Sequence, residues 1–223
     1  MKSDQLYIGI DSGTQGTKGI VYSRELRKVV AEAYAEHNII ETSKGRREQD
    51  PAWWVEACTA VMEKLLAGDM VNSGDVCAIG ISGQQHGMVP LDKDDQVIRP
   101  AKLWCDTESA VQCDIITEAI GGLDRVIDLI GNAMAAGFTA SKILWMKQEE
   151  PEAYERLASV LLPHDYINFW LTGEKRTEYG DASGTAYFDV SDRKWSLEIL
   201  DAIDPSGKLE ACLPELLPPE APH

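Results

Sequence analysis

Apolar residues open the chain in short unbroken runs and later fall at helical spacing. Leu6 to Ile10 is one such run and Lys18 to Tyr22 another, so the pair predicts a buried strand and its hairpin partner. The connection, Ser12 to Thr17, holds Gly13 and Gly16, which allow backbone angles that other residues resist. Lys28 to Asn38, rich in valine and alanine, predicts a third strand. Asp50-Pro51 reads as a helix start, with the aspartate capping and the proline at the first helical position. Trp54, Cys58, Val61, Met62 and Leu65 then recur at helical spacing up to a stop at Gly68. Val76 to Ser82 is a second unbroken apolar strand. Met88–Leu91 and Val97–Ile98 flank the acidic turn Asp92 to Asp95, which reads as a solvated hairpin turn. Ala110 to Ile120 predicts a helix ending at Gly121-Gly122. Thr139 is placed to cap a helix through Glu150, and Pro151 to open the next. A short strand at Val160–Leu162, a helix ending near Gly173, a strand at Tyr187–Val190 and a helix from Ser196 through Ala202 complete the pattern.

Hairpin strands followed by helices and mixed elements predict a mixed α/β sheet with flanking helices rather than a regular βαβ array. No Gly-x-Gly-x-x-Gly opens a helix. The Gly13 to Lys18 segment has the wrong spacing for a Walker loop and runs into a strand. With 223 residues and 44% hydrophobic content, a sizeable core is available without metal or disulfide staples. Acidic residues outnumber basic ones by 37 to 21, and the net charge of −16 argues against nucleic-acid or anionic-membrane partners. Any phosphate site must therefore be built locally, from backbone N–H groups and a cation. The five cysteines, Cys58, Cys77, Cys105, Cys113 and Cys212, form no Cys-x-x-Cys and read as buried or half-buried free thiols of a reducing cytosol. The first apolar run carries Lys2 and Asp4 before it and ends too early for a signal peptide. No stretch reaches membrane-spanning length, so a cytoplasmic protein is expected. Pro214 to His223, with four prolines, reads as a boundary or an extended linker.

The stretch Ile8 to Lys18 carries the most chemistry. Successive N–H groups in a glycine-containing turn form an anion-binding concavity, and Thr14, Gln15 and Thr17 add donors. Asp11 accepts only when ionised and would repel phosphate unless Mg²⁺ lay between them. The competing reading is a plain hairpin turn with a capping aspartate. Gln84-Gln85-His86-Gly87 follows a strand, and its amides and imidazole offer the paired donors and acceptors that sugar hydroxyls need. Trp104 supplies an indole face for sugar C–H edges, and nearby Asp106 a hydroxyl acceptor.

These stretches share their order and spacing with a known family. Ile8 to Lys18, Glu48 to Trp54, Gly80 to Gly87, Arg99 to Asp106, Gly137 to Ala140, Leu161 to Tyr166 and Asp181 to Thr185 resemble the FGGY carbohydrate kinases, and within them the xylulokinases. The resemblance runs from about residue 6 to residue 200. It implies the ribonuclease-H-like α/β fold of the actin, hexokinase and heat-shock ATPase superfamily. It further implies that residues 1–213 form an N-terminal sugar-binding domain, that 214–223 begin an interdomain linker, and that a C-terminal nucleotide-binding domain lies beyond this chain as its missing partner.

By the same resemblance, Asp11 positions Mg²⁺, and Gly13, Thr14, Gln15, Gly16, Thr17 and Lys18 face the phosphates of ATP. Gln85 and His86 match a pair that contacts the sugar in xylulokinases, where glycerol kinases carry Arg-Glu. Trp104 and Asp106, on their chemistry, are the next candidate pair for the sugar. The implied activity is conversion of D-xylulose to D-xylulose 5-phosphate in xylose metabolism. No catalytic base is expected within the chain, because the family's base aspartate lies downstream, so the isolated chain is expected to be inactive. A non-catalytic sugar-binding module and a kinase for ribulose, gluconate or another polyol are the alternatives. One departure stands out: Glu108 occupies a position where the family carries arginine, reversing a charge beside the proposed sugar site. Asp181 is expected to belong to a structural loop, and Trp53 and Trp54 to the core or a helix surface. A face exposed by the absence of the second domain is expected to offer a route to homodimerisation.

Overall fold

A computed structural model describes residues 5–42 and 45–222; Lys2, Asp4 and His223, which entered the reading of the two ends, lie outside them. The chain begins with β1 (Leu6–Ser12), β2 (Gly16–Ser23), β3 (Lys28–Glu36), β4 (Ile40–Glu41), β5 (Arg47–Gln49), α1 (Pro51–Leu66) and β6 (Val76–Gly83). It continues through β7 (Val89–Leu91), β8 (Ala101–Lys102), α2 (Ala110–Ile120), α3 (Leu123–Ile130), α4 (Thr139–Glu149) and α5 (Pro151–Glu155). The last part holds β9 (Ser159–Leu161), α6 (Pro163–Thr172), β10 (Arg176–Glu178), α7 (Tyr179–Ala182), β11 (Phe188–Asp189), β12 (Lys194–Trp195), α8 (Leu197–Ile203) and β13 (Glu215–Leu217). These elements form two compact units, one from Met1–Ile39 with Asp50–Gln84, the other from Ile40–Gln49 with Gln85–His223.

The first unit is a mixed sheet in the order β3-β2-β1-β6. β2 runs antiparallel to both neighbours and β6 runs parallel to β1. Helix α1 starts where Asp50-Pro51 predicts, the Asp50 side chain accepting from the Ala52 N–H at 3.0 Å. Trp54, Cys58, Val61 and Leu65 lie buried on its inner face, and α1 packs against β2 and β3. β1 is half-buried rather than fully buried: Leu6, Ile8 and Ile10 are buried while Tyr7 and Asp11 are exposed, as strand alternation requires with one face covered. β6 departs further from expectation. Its apolar run reads as a core strand, yet Cys77, Ala78, Ile79 and Gly80 are exposed. The reason is its place at the sheet edge, bonded among the described residues to β1 alone, with α1 lying over β2 and β3.

The second unit is mostly helical around α4, which is buried from Thr139 to Met146 and so lacks a solvent stripe. Ile116, Tyr154, Ile199 and Leu200 from α2, α5 and α8 pack in the same core as Ile143 and Met146. Small ladders tie its margins: β4-β5-β8, β7-β9, β10-β13 and β11-β12. The acidic turn forms as expected, with Asp92 accepting from the Asp94 and Gln96 N–H groups at 3.0 Å each. The hairpin partner is short: a Leu91–Val97 bridge, with the Ile98 N–H donating to the Pro90 carbonyl at 3.0 Å, while β7 pairs along its length with β9 on its other side. Thr139 does not cap α4; Phe138 holds that position, and the Thr139 hydroxyl donates to the His86 carbonyl at 3.3 Å. Residues 215–217 of the proline-rich tail form β13, parallel to β10. Cys58, Cys113 and Cys212 are buried, Cys105 is half-buried and Cys77 is exposed; none is in a disulfide. No helix among the described residues is long and apolar enough to cross a membrane.

Candidate functional site

In the first unit, β1 and β2 bring Asp11 opposite Lys18 and Ser12 opposite Thr17, leaving Gly13, Thr14 and Gln15 as the connection. Asp11, Gln15 and Lys18 are exposed at its mouth, while Gly16 and Thr17 are buried. Neither Gly13 nor Gly16 uses the left-handed region, so the conformational reason for glycine does not hold. At Gly16 the reason is space: an added Cβ would sit 2.4 Å from the Tyr34 hydroxyl and 2.6 Å from the Ala35 carbonyl. Part of the expected cradle is turned inward. The Gly13 N–H donates to the Gly16 carbonyl at 3.0 Å. The Thr17 hydroxyl bonds Ser12 Oγ at 3.1 Å and His37 Nε2 at 2.9 Å, beneath the turn. Thr14 donates to Gln84 Oε1 at 3.1 Å, joining the turn to the end of β6. His37 is a support that sequence reasoning missed; burial holds its imidazole below its ordinary range, so it is neutral at pH 7. Lys18 pairs with Glu32 at 3.3 Å on the exposed sheet face. What the mouth presents is an exposed carboxylate and an amide side chain, the Lys18 ammonium being held by Glu32. Carboxylate and amide oxygens suit a hard divalent cation.

In the second unit, Gln85 is exposed and His86 half-buried. His86 has a φ of 63°, an uncommon backbone for a residue with a Cβ. Burial, and then the Lys142 charge, push its imidazole below the ordinary histidine range. Nδ1 is buried against Gly184, so Nε2 is the ring nitrogen left for a sugar hydroxyl. The Trp104 side chain is 50% exposed, leaving indole surface for a ligand.

Asp106 behaves differently from the expectation of a sugar acceptor. It is fully buried. One oxygen accepts from the Arg47 N–H at 2.8 Å and from Lys102 at 3.2 Å, the other from the Glu108 N–H at 3.0 Å and from Lys102 at 3.3 Å. Its carboxylate is spent on holding the turn after β8 to the strand β5, so its place in the site is that of a support.

Lys102 lies at the centre of this arrangement. Its ammonium is wholly buried, 2.6 Å from Glu108, 3.3 Å from Glu48 and 3.8 Å from the Trp145 ring centroid. Arg46 reaches Glu108 at 3.1 Å, and Arg99 bonds Glu48 and reaches Glu150 at 2.8 Å. Partial burial works to raise the Glu108 carboxyl, but the hydrogen bonds from Lys102 and Arg46 outweigh it and hold it below the usual range. The Glu108 charge is therefore balanced in place. Glu48, Asp106 and Glu108 converge as a metal site would, but the cation among them is the Lys102 ammonium.

Asp181, on α7, faces His164 at 3.5 Å beside Asp165 rather than solvent. Burial and the neighbouring Asp165 charge push its carboxyl up to about 7. The segment after it contributes Gly184, against which the His86 ring packs. Trp54 is fully buried on α1, and Trp53 is half-buried.

Residues 6–221 match the model of the N-terminal domain of the FGGY family of carbohydrate kinases. A xylulose kinase from Haemophilus influenzae is 46% identical over 219 residues, which is 96% of this chain and 44% of the relative. Among solved structures, a xyloylose kinase from Brucella ovis superposes with a TM-score of 0.87 at 34% identity, over 96% of this chain and 43% of the other. A gluconate kinase from Lactobacillus acidophilus superposes with a TM-score of 0.86 at 26% identity, over 96% and 42%. The chain thus spans less than half the length of the relatives it matches.

Proposed function

Because the chain belongs to the FGGY family of carbohydrate kinases, and its structural neighbours have the actin–hexokinase ATPase fold, we propose that it is the sugar-holding part of an ATP-dependent kinase that phosphorylates D-xylulose on its 5-hydroxyl. The observation that carries the reading is the pairing of a neutral, half-buried His86, next to the exposed Gln85, with the half-exposed indole of Trp104. Imidazole and amide take the hydroxyls of a ketopentose, and the indole packs on its C–H face. In the first unit, Asp11 would hold Mg²⁺, and the turn from Gly13 to Lys18 would meet the terminal phosphates. When bound, the ion neutralises phosphate charge for a transfer that asks the protein mainly for positioning. The residues of this chain orient the sugar and present the carboxylate. We place the adenosine site and the base that takes the hydroxyl proton in the part of the relatives that this chain does not cover. On this reading the isolated chain turns over no sugar.

The pairing of Glu108 with Arg46 and Lys102 supports the kinase reading over a non-catalytic module, because the acidic side chain is not left uncompensated. The gluconate kinase likeness favours one second reading, a different sugar acid or polyol. Isothermal titration of the chain with D-xylulose, D-ribulose and gluconate tests both. Binding of D-xylulose, weakened by about 1–3 kcal/mol in His86→Ala through loss of a hydrogen-bonding partner, is the expected result. Binding of gluconate alone moves the assignment to the second reading, and unchanged affinity in His86→Ala removes His86 from the site.

A further inference from the structure

His86 and Trp104 are 18 positions apart, and both rest on a third segment that neither the sequence nor the family resemblance assigns a role. Residues 136–138 form the turn into α4. One helical turn later, Lys142 is fully buried. Its ammonium donates to three successive carbonyls, Ala136 at 2.6 Å, Gly137 at 2.7 Å and Phe138 at 3.1 Å. Three N–H bonds meet three acceptors, so the donor capacity of the group is used in full. Burying an ammonium on neutral partners is costly, and burial drives this one down to about 7. A methionine or leucine would fill the space without that cost, so the packing of α4 alone does not account for a lysine here. What the lysine adds is convergence of three carbonyls that would otherwise repel one another.

The pinned turn supports both proposed sugar contacts. Phe138 sets its ring against the His86 imidazole edge-to-face, with centroids 5.0 Å apart at 80°. The Thr139 hydroxyl holds the His86 carbonyl at 3.3 Å. Gly137 lies so close to the Trp104 carbonyl that an added Cβ would come within 2.8 Å of it. On another side of His86, a Cβ on Gly184 would fall 1.8 Å from Nδ1, so the ring has one seat. His86 also carries a left-handed backbone, which persists only where surrounding contacts over-determine it.

We propose that Lys142 is the positioning residue of the sugar site: by gathering the carbonyls of residues 136–138 it fixes Phe138 and Gly137, and through them the relative placement of His86 and Trp104. The inference rests on the sugar-site reading given above, and its structural half can be tested without it. Lys142→Met keeps the side-chain bulk and removes the donors. Two readouts are taken on the whole chain: the nuclear Overhauser contact between the Phe138 and His86 rings, and calorimetric affinity for D-xylulose. The expected result is loss of the ring contact together with at least a tenfold loss of affinity. An unchanged ring contact overturns the proposal, whatever the affinity does. If the wild-type chain binds no sugar but Lys142→Met still abolishes the ring contact, the positioning role stands and the sugar reading falls. Should Lys142→Met fail to fold, Phe138→Leu removes only the ring that touches His86; a drop in sugar affinity then supports the proposal, and affinity equal to wild type overturns it.

Discussion

Replacing Lys102 by methionine should expose how much of the second unit depends on one buried charge. The wild-type ammonium sits 2.6 Å from Glu108, 3.2 Å from Asp106 and 3.3 Å from Glu48, with no solvent exposure. Methionine restores volume but leaves three carboxylates with Arg46 and Arg99 as their remaining partners in the cluster. Breaking a buried ion pair from one side typically costs about 3–5 kcal/mol, because the other charge stays buried. At roughly 2–4 °C per kcal/mol for a unit of this size, the melting temperature should fall by about 6–20 °C. The pH dependence gives a sharper signature. In the wild type Glu108 is held below its ordinary value, so its contribution is present above roughly pH 4.3 and is lost as pH falls through the lower folded-state value. Without Lys102 the clustered carboxylates are raised instead, the folded state binds more protons than the unfolded one, and stability should increase as pH falls. Urea unfolding of both proteins at pH 5 and pH 8, followed by tryptophan fluorescence, measures the two slopes. A variant within about 1 kcal/mol of wild type, or one whose stability falls no more steeply from pH 5 to pH 8 than the wild type's does, would refute the argument that the cluster depends on its buried ammonium.

Other perturbations follow from the same geometry. Glu108→Arg should destabilise this chain more than Glu108→Ala, since the new guanidinium would face Lys102 and Arg46; a thermal melt of the two variants checks the order. Asp181 is raised to about 7 by burial and His164 is raised above its ordinary value by its carboxylate neighbours against burial, so both make stability decline as pH rises, Asp181 from about 4 to 7 and His164 from about 6.5 upward. Asp181→Asn should flatten the lower part of that decline in denaturant titrations, and an unaltered profile would place the titration elsewhere. Gly16→Ala should cost about 1–3 kcal/mol by overpacking against Tyr34 and Ala35. Tyr34→Ala should rescue it only in part, because the Ala35 carbonyl is backbone; full recovery in chemical denaturation would contradict the clash with that carbonyl as a cause.

Local signals carried the fold a long way. Short apolar runs located β1 and β2, and Asp50-Pro51 with four buried residues at helical spacing fixed α1. Leu123, Val126, Ile127 and Ile130 have the spacing that would have revealed α3, but the preceding Gly121-Gly122 reads as an end and hides the restart. Burial was less legible, since an unbroken apolar run is the same string whether its strand lies inside a sheet, as expected of Val76 to Ser82, or along its margin, as β6 does. In the candidate site, residue type singled out His86 and Trp104 as candidates but could not separate an open carboxylate from one enclosed by protein. Asp106 is settled by the N–H of Arg47, 59 positions away, a partner that no local pattern records. Lys142 was invisible for a related reason: α4 is buried all round, and a lysine in such a helix carries no sequence mark of the three carbonyls it gathers.

The outer margin of β6 bears on how this polypeptide behaves in the test tube. Eight residues long, uncharged and carrying Ile79 at 41% exposure, it offers a second β-ribbon a row of amides and carbonyls that no strand of the described residues fills. Solubility should therefore depend on chain concentration, with ordered self-adhesion setting in before the second unit loses structure. A lysine in place of Ile79 would act as a gatekeeper there, and would make dilute and concentrated preparations sediment alike.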